Sequence, residues 1–531
     1  METKLAVPIA ATSLEQAKQQ LNTAKAAGAE ILELRTDYLE NLSVDLVRKL
    51  IDKVKTAVPS IPIIVTCRDK KEGGAIDQPL QLRIDILTSA IKAGAEFIDF
   101  EYENFLLLQN QEKIRQALSQ MPNGRLILST HNFIGKFDDI IKLHSDISAL
   151  YPTAIPKLIY TANHINDCFE AFDLLHNTSG AAVVFCMGKA GLISRIIAKK
   201  LGSLVTFASI DDKSATAPGQ LTVEQPKTTY RWDSINSNTE LYGVIGSPIA
   251  HSLSPILHNT CFSDIGANKL YLPLLVEGGK DEFYTFMKNI LDRPWLDFHG
   301  FSVTTPHKRN ALNYAKQKNG VIEPLAETIG AANTLIVESR ATGDERRISA
   351  YNTDYAGAMG AITKTLGISR SDLKDWPVTV IGAGGVARAI VAGLTDAGAK
   401  IKIYNRTIEK GKKLAAEFGC DFAPLDDLPN LNAKLVINAT SIGMYPNVDE
   451  TPLPQQYLKK DMAVFDTVYN PAETLLLKQA KQAGAKTIDG LSMFINQAAA
   501  QFKLFTGKNP KPDLMRKTIS NRLALKKADM T

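Results

Sequence analysis

Lys157 lies inside Ile155-Pro156-Lys157-Leu158-Ile159-Tyr160, a run that is otherwise apolar. If that run is a strand covered on both faces, the ammonium must shed its water, which is costly unless it is paired or neutral. Burial of this kind favours the free amine, and a free amine beside a carbonyl carbon condenses to a Schiff base. The other placement puts Lys157 at a strand end with its head in solvent, and spacing alone does not separate the two. His131, in Ser129-Thr130-His131-Asn132-Phe133, is either a proton carrier or a satisfied core histidine. Arg35, Arg68 and Arg195 each suit a carboxylate ligand, or an internal salt bridge. Farther along, Ser252 and Ser254 in His251-Ser252-Leu253-Ser254-Pro255 point to one side if the chain is extended, so they could share an anionic acceptor. Lys308 follows Val303-Thr304-Thr305-Pro306-His307 by one short loop, and Gln497 and Gln501 share one face of a helix.

Those residues need a scaffold. Eight short apolar runs (4–10, 30–35, 61–67, 96–101, 125–130, 155–160, 181–186 and 203–209) alternate with helix-like stretches. Eight such units over about 220 residues predict a closed parallel (β/α)8 barrel, whose chemistry sits where its strands end. Glu33, Arg35, Arg68, Glu101 and His131 all fall at or just beyond such ends. Residues 222–239 are rich in Thr, Asn and Ser with few large apolar side chains, and predict a polar linker between the barrel, 1–221, and a second α/β body. There, Val378-Thr379-Val380-Ile381 runs into Gly382-Ala383-Gly384-Gly385-Val386 and a helix, a turn that lets backbone N–H groups approach a pyrophosphate. A second strand at the right distance ends in Asn405-Arg406-Thr407. Arg406 stands where an acidic residue would hold a ribose hydroxyl, which favours the 2′-phosphate of NADP(H). Lys410 either adds to that charge or is a solvated helix lysine.

With 531 residues, 45% apolar, 22% charged and a net charge of +5, the chain reads as an ordinary multidomain α/β protein, and small anionic ligands suit it better than nucleic acid. Its five cysteines show no Cys-x-x-Cys spacing, which argues against a disulfide framework and against a structural metal site, and fits a reducing cytoplasm. No apolar run reaches the length of a membrane span, and no targeting segment is expected.

Taken together, Glu33-Leu34-Arg35, Thr66-Cys67-Arg68 to Glu72-Gly73-Gly74, Ser129 to Phe133, Lys157, Met187-Gly188-Lys189 to Ser194-Arg195, and Ala217-Pro218-Gly219-Gln220 resemble type I 3-dehydroquinate dehydratase in order and spacing. The resemblance implies an imine at Lys157, proton transfer by His131, and orientation of His131 by Glu72. It also implies substrate contacts from Glu33, Arg35, Arg68, Arg195, Thr216 and Gln220. Thr216 replaces the family's usual serine and keeps the hydroxyl.

From residue 238 onward the chain is similar to shikimate dehydrogenase, with seven motifs in order. The resemblance implies a substrate domain, 240–345, completed by helices at 491–531, and a Rossmann domain, 346–490. Ser252, Ser254, Thr304, Asn333, Gln497 and Gln501 would bind shikimate, with Tyr469 nearby. Lys308 and Asp354 would be the acid–base pair. Gly382, Ala383, Gly384, Gly385, Val386, Asn405, Arg406, Thr407, Lys410, Thr440, Met444 and Gly490 would line the NADP(H) site. Ser302 stands where single-function relatives commonly have asparagine. The two activities would be consecutive, since the first product, 3-dehydroshikimate, is the ketone that the second reduces; the expected partners are these small molecules, with no nucleic acid and no membrane. Two rivals remain at this point. A Schiff-base aldolase is disfavoured by the arginines and His131, and a non-enzymatic metabolite sensor is disfavoured because Lys157, His131, Lys308 and Asp354 are all present.

Overall fold

The computed structural model describes residues 2–120, 124–211, 219–339 and 346–528. Contacts divide the chain into two units: Met1–Thr239 with Leu274–Glu277 and Thr285–Arg293, and Glu240–Pro273 with Gly278–Tyr284 and Pro294–Thr531.

In the first unit, β1 (Lys4–Ile9), β2 (Ile31–Arg35), β3 (Ile63–Thr66), β4 (Phe97–Glu101), β5 (Arg125–Asn132), β6 (Ile155–Thr161), β7 (Val183–Met187) and β8 (Val205–Ser209) alternate with helices. They coincide with the eight apolar runs. From β1 to β7 each strand pairs in parallel with the next, and β8 returns to pair with β1. Where β7 and β8 approach, Leu204 N–H donates to Ala182 O at 2.8 Å. This is the curled parallel sheet of a (β/α)8 barrel. Its strands are mostly apolar because helices cover their outer faces, and Ala6, Ile64, Ile127, Ile159, Val183 and Phe207 fill part of the interior.

Residues 222–239, expected to be a linker, differ from that reading. After β9 (Leu221–Thr222), which adds to β8, the chain forms the short helix Glu224–Thr228. Lys227 Nζ donates to Gly28 O at 2.8 Å, and Trp232, 1% exposed, donates through Nε1 to Glu30 at 3.2 Å. One aromatic anchor offsets the polar composition: burying an indole stabilises by a few kcal/mol, so the segment belongs to the barrel.

The second unit contains two sheets. β11 (Lys269–Leu275), β10 (Glu240–Gly246), β12 (Phe298–Val303), β14 (Thr334–Ser339), β15 (Arg346–Tyr351) and β13 (Val321–Ile322) neighbour one another in that order. The boundary expected at 346 is displaced, because β14 and β15 form an antiparallel pair running from Thr334↔Tyr351 to Ser339↔Arg346. The other sheet is wholly parallel, in the order β18 (Asp421–Pro424), β17 (Lys400–Asn405), β16 (Pro377–Ile381), β19 (Leu435–Asn438), β20 (Ala463–Asp466), β21 (Lys486–Ile488). Separate apolar clusters cover its two faces, one around Ile362, Ile390 and Met493, the other around Tyr404, Leu453 and Leu476. That is the doubly wound arrangement, and it places the ends of β16, β17, β19 and β20 on one side.

Candidate active sites

In the barrel, Lys157 is 4% exposed in the middle of β6, which settles its position as interior. It is not alone there. Its Nζ donates to Asp99 Oδ2 at 2.7 Å, stands 3.5 Å from Glu33 Oε1, and lies 4.7 Å from the centre of the Phe207 ring. Burial by itself therefore does not set the state of this amine, because two carboxylates accompany it. Asp99 also receives Arg68 Nη2 at 2.8 Å and Ser129 Oγ at 2.7 Å. Desolvation works to raise the Asp99 carboxyl, yet Arg68 and Lys157 hold it well below the usual carboxylate range. Glu33 further accepts from Thr66 Oγ1 at 2.9 Å.

His131, two residues past Ser129 on β5, meets Glu72 of the β3 loop: Oε2 is 2.9 Å from His131 Nδ1 and accepts His131 N–H at 3.1 Å. Desolvation, reinforced by Arg68 and Lys157, keeps the imidazole well below its ordinary value. Desolvation also pushes the Glu72 carboxyl up to about 8, against the pull of Arg68 and with Glu101 and Asp99 adding to the rise. One proton thus lies between the two groups. On Nδ1 it leaves Nε2 free as a base; on Glu72 it obliges the neutral ring to carry its hydrogen at Nε2, as an acid.

The three arginines separate. Arg35 is clamped by Asp37 at 2.9 and 2.7 Å, and Arg68 by Asp99 and Glu101. Arg195, 3% exposed, has Nε and Nη2 without a hydrogen-bond partner among the described residues, faces the Phe185 ring at 4.4 Å, and is lowered to about 10 by desolvation. A buried guanidinium left unsatisfied costs free energy that an anionic ligand would return. Gln220 follows Gly219, whose φ of 74° and absent Cβ let it lie against Gly188 O. Thr216 lies outside the described residues. Asp99 and Arg83, which holds Glu101 and Asp69, escaped the sequence reading. The signal was Asp99 and Glu101 at alternate positions of an apolar strand, on one face.

In the second unit, Lys308 opens the helix Lys308–Gln317 and its Nζ donates to Asp354 Oδ2 at 2.5 Å. Asp354 is the first residue of the helix Asp354–Leu366 and does not cap it; its Oδ1 accepts from Asn333 Nδ2 at 2.9 Å. Ser252 and Ser254 are not in extended chain. Leu253 is helical, Ser254 N–H donates to Ser252 Oγ at 3.3 Å, and Ser254 begins a helix. Thr304 packs against Gly246, where a Cβ would stand 2.3 Å from Thr304 Cγ2. Gln501 is 2% exposed and committed internally: it accepts from Ser302 Oγ at 2.8 Å and donates to Asn333 O and Thr334 Oγ1. Gln497, one turn earlier, is half-buried beside Gly357. Tyr469 stacks on Phe494 at 4.5 Å, and burial pushes its phenol up to about 12.

The glycine turn fits a dinucleotide. Gly382 takes φ 117° against Ala439 O, a Cβ on Gly384 would meet nothing within 4 Å, and Gly385 begins the helix Gly385–Asp396. A Cβ on Gly385 would stand 3.2 Å from Lys308 Cδ, so the Lys308–Asp354 ion pair borders this turn. Ala383 and Val386 are half-buried beside it. Arg406, Thr407 and Lys410 are exposed past the end of β17, and Asn405 Nδ2 braces Thr407 O at 2.7 Å. Thr440 is held by Asn438, Met444 is exposed, and a Cβ on Gly490 would clash with Val468 O at 2.4 Å.

The fold and these sites define a lysine-bearing (β/α)8 barrel joined to a dinucleotide-binding dehydrogenase. Family models match accordingly: type I 3-dehydroquinase over residues 5–237, the shikimate dehydrogenase substrate binding domain over 244–335, shikimate/quinate 5-dehydrogenase over 365–471, and the shikimate 5'-dehydrogenase C-terminal domain over 490–519. The chloroplastic bifunctional 3-dehydroquinate dehydratase/shikimate dehydrogenase of Arabidopsis thaliana is 34% identical over 520 residues, 95% of this chain and 82% of that protein. The shikimate dehydrogenase (NADP(+)) of Methanocaldococcus jannaschii is 40% identical over 302 residues, 54% of this chain and 99% of its own. Among solved structures, shikimate 5-dehydrogenase from Thermus thermophilus in complex with NADP(H) and shikimate is 32% identical, covers 54% of this chain and 99% of its own, and has a TM-score of 0.46. The chain belongs to the family of bifunctional 3-dehydroquinate dehydratase/shikimate dehydrogenases.

Proposed function

We propose that this chain is a bifunctional enzyme that dehydrates 3-dehydroquinate to 3-dehydroshikimate in its barrel and reduces 3-dehydroshikimate to shikimate with NADPH in its second unit. The observation that carries the reading is the buried Lys157, one strand from the His131–Glu72 pair and in a barrel where Arg195, among the described residues, keeps open N–H groups for a carboxylate.

In the barrel, Lys157 adds to the substrate ketone and water leaves, giving an imine cation that Asp99 and Glu33 face. His131 Nε2 takes a proton from the adjacent carbon while Glu72 holds Nδ1–H, and the released electron pair runs into the imine to give an enamine. The enamine expels the β-hydroxyl, which leaves as water with the proton from His131, and hydrolysis of the imine restores Lys157. Arg195 holds the carboxylate, and Gln220 and Thr216 are the further substrate contacts that the resemblance implies; Arg35 and Arg68, already paired, shape the polar wall.

In the second unit, the turn of Gly382, Ala383, Gly384, Gly385 and Val386 would hold the pyrophosphate, and Arg406 with Lys410, Asn405 and Thr407 the 2′-phosphate end of NADP(H). Thr440, Met444 and Gly490 would line the other end. When bound, NADPH supplies the hydride. Lys308 delivers the proton to the ketone oxygen, Asp354 orients Lys308, and Asn333 orients Asp354. Ser252, Ser254, Thr304, Tyr469 and Gln497 contact the substrate, and Gln501 fixes Asn333 and Thr334 from behind.

Among the described residues no helix is long and apolar enough to cross a membrane, and all five cysteines are free thiols; we place the enzyme in the cytoplasm. The test is incubation of the chain with 3-dehydroquinate and NADPH. Shikimate formation with loss of NADPH absorbance is expected, and no turnover of 3-dehydroquinate would overturn the reading.

A further inference from the structure

Asp466 ends β20 with 0% exposure, and the described structure gives it no ion pair. Its oxygens serve three donors from two loops. Oδ1 accepts Asn438 Nδ2 at 2.9 Å and Val468 N–H at 3.0 Å, and Oδ2 accepts Thr474 Oγ1 at 2.6 Å. Each donor carries a segment with it. Asn438 Oδ1 accepts both N–H and Oγ1 of Thr440, at 3.0 and 2.7 Å, and its Nδ2 also reaches Ile442 O at 3.2 Å. Val468 precedes Tyr469, and Tyr445 N–H closes the pair of loops on Asn470 O at 3.0 Å. Thr474 caps the helix Leu475–Gln482 through Leu477 N–H. Gly490, at the start of the helix that carries Gln497, lies against the Thr467 and Val468 carbonyls.

We propose that Asp466 is a positioning residue for the reduction: its carboxylate locks the loop of Thr440–Met444, on the cofactor side, to the loop of Tyr469, on the substrate side, so that one rigid unit sets the two reactants against each other. The proposal rests on the function assigned above to the second unit. The groups that bridge the loops through Asp466 are an amide, a backbone N–H and a hydroxyl. A carboxylate suits the place because it only accepts, and every group aimed at it donates. Burial raises the acid to about 6 against the pull of Thr474, Val468 and Asn438. Among ionisable groups on the elements packed round it, Asp489 at the end of β21 is engaged in capping Ser492 N–H, Lys478 and Glu473 are exposed, and Tyr469 lies on its own loop. Once protonated, Asp466 would have to donate from an oxygen that now accepts; the Thr474 hydroxyl, which already takes Leu477 N–H, would have to turn its own hydrogen away, and the present Thr474-to-Asp466 bond would survive only in reverse.

The experiment compares the full chain with Asp466→Asn, Thr474→Val and Thr474→Ser. kcat and KM for 3-dehydroshikimate are read from pH 5 to 9, NADPH affinity by fluorescence, and dehydratase activity in the same samples as the control for an intact chain. The wild type is expected to lose reductase kcat as pH falls through about 6. Asp466→Asn should lower kcat about tenfold or more at pH 8, a size typical of a displaced reacting pair, and abolish that acid limb. Thr474→Val should follow it and Thr474→Ser should recover. Full reductase kcat with an unchanged acid limb in Asp466→Asn, or equal behaviour of the two Thr474 variants, would overturn the proposal. A wild-type chain that binds NADPH and dehydrates but reduces nothing would instead remove the functional reading beneath it.

Discussion

In the proposed mechanism Lys157 carries the chemistry of the barrel, and its state is set by the carboxylates beside it. Lys157 was legible in the sequence because a lysine within an apolar strand has no cheap place to go. Its partners were not, since Asp99 lies 58 positions away and only the barrel brings β4 and β6 to the same interior. If Lys157 forms the imine, borohydride added with either 3-dehydroquinate or 3-dehydroshikimate will fix ligand mass on it, and peptide mapping reads the site. His131→Ala should still trap ligand while turnover falls by about 100-fold or more; an active sample without adduct at Lys157 would refute the mechanism. Arg406 belongs to the same scale. It is exposed beyond β17, where the proposed function puts the phosphate that distinguishes the two nicotinamide cofactors. Arg406→Asp should raise the KM for NADPH about tenfold, the scale of one charge-assisted contact, and leave NADH little affected. Equal effects on both cofactors in steady-state kinetics would refute that.

Elements explain why single motifs read well in order and badly in detail. The eight strands of the barrel were evident from apolar runs, because strands covered on both faces carry no alternation to misread. Ser252 and Ser254 misled because a Pro at the start of a helix looks the same in sequence as a Pro closing an extended segment. Gln501 misled for a related reason: helical spacing gives the face, but whether that face meets a ligand or Ser302 depends on a strand 199 positions earlier. The β3 loop shows an element acting on chemistry. It delivers Glu72 to His131, and desolvation there raises the carboxyl to about 8, with Arg68 opposing. An acid with a raised pKa is protonated below that value and ionises as pH climbs through it. Only the ionised form accepts Nδ1–H and frees Nε2 as the base, so dehydratase kcat should rise with pH toward a limb near 8. Glu72→Gln should be slow and flat across the same range; a variant that keeps the wild-type limb would assign it to another group.

At the scale of the whole chain, composition drew the boundary in the wrong place, and one residue shows why. Counting Thr, Asn and Ser over 222–239 made the segment a free connector, yet Trp232 is its main anchor, beside the Lys227 bond to Gly28 O: 1% exposed, hydrogen-bonded to Glu30, with Lys199 5.5 Å from its ring. Local averages miss a single buried anchor, because the free energy of one indole outweighs several solvated hydroxyls. The consequence is a prediction about where the chain can be divided. A fragment ending at 226 exposes the groove that Trp232 fills and leaves Glu30 half satisfied, a loss of about 3–5 kcal/mol by analogy with deleting a buried aromatic. That is a large part of the roughly 5–15 kcal/mol that holds a domain. Residues 1–239 should therefore be soluble and dehydrate 3-dehydroquinate, whereas 1–226 should melt well below it in a thermal scan, or fail to accumulate. Residues 240–531 carry both sheets of the second unit and should reduce 3-dehydroshikimate with NADPH. Within the intact chain, Lys157→Ala should abolish dehydration and spare reduction, and Lys308→Ala should do the reverse, since no described hydrogen bond or ion pair of either lysine reaches the other site. Trp232→Ala in 1–239 should reproduce the low melting point of 1–226; equal melting points for 1–226 and 1–239 would show that the anchor contributes little and return the boundary to the polar segment.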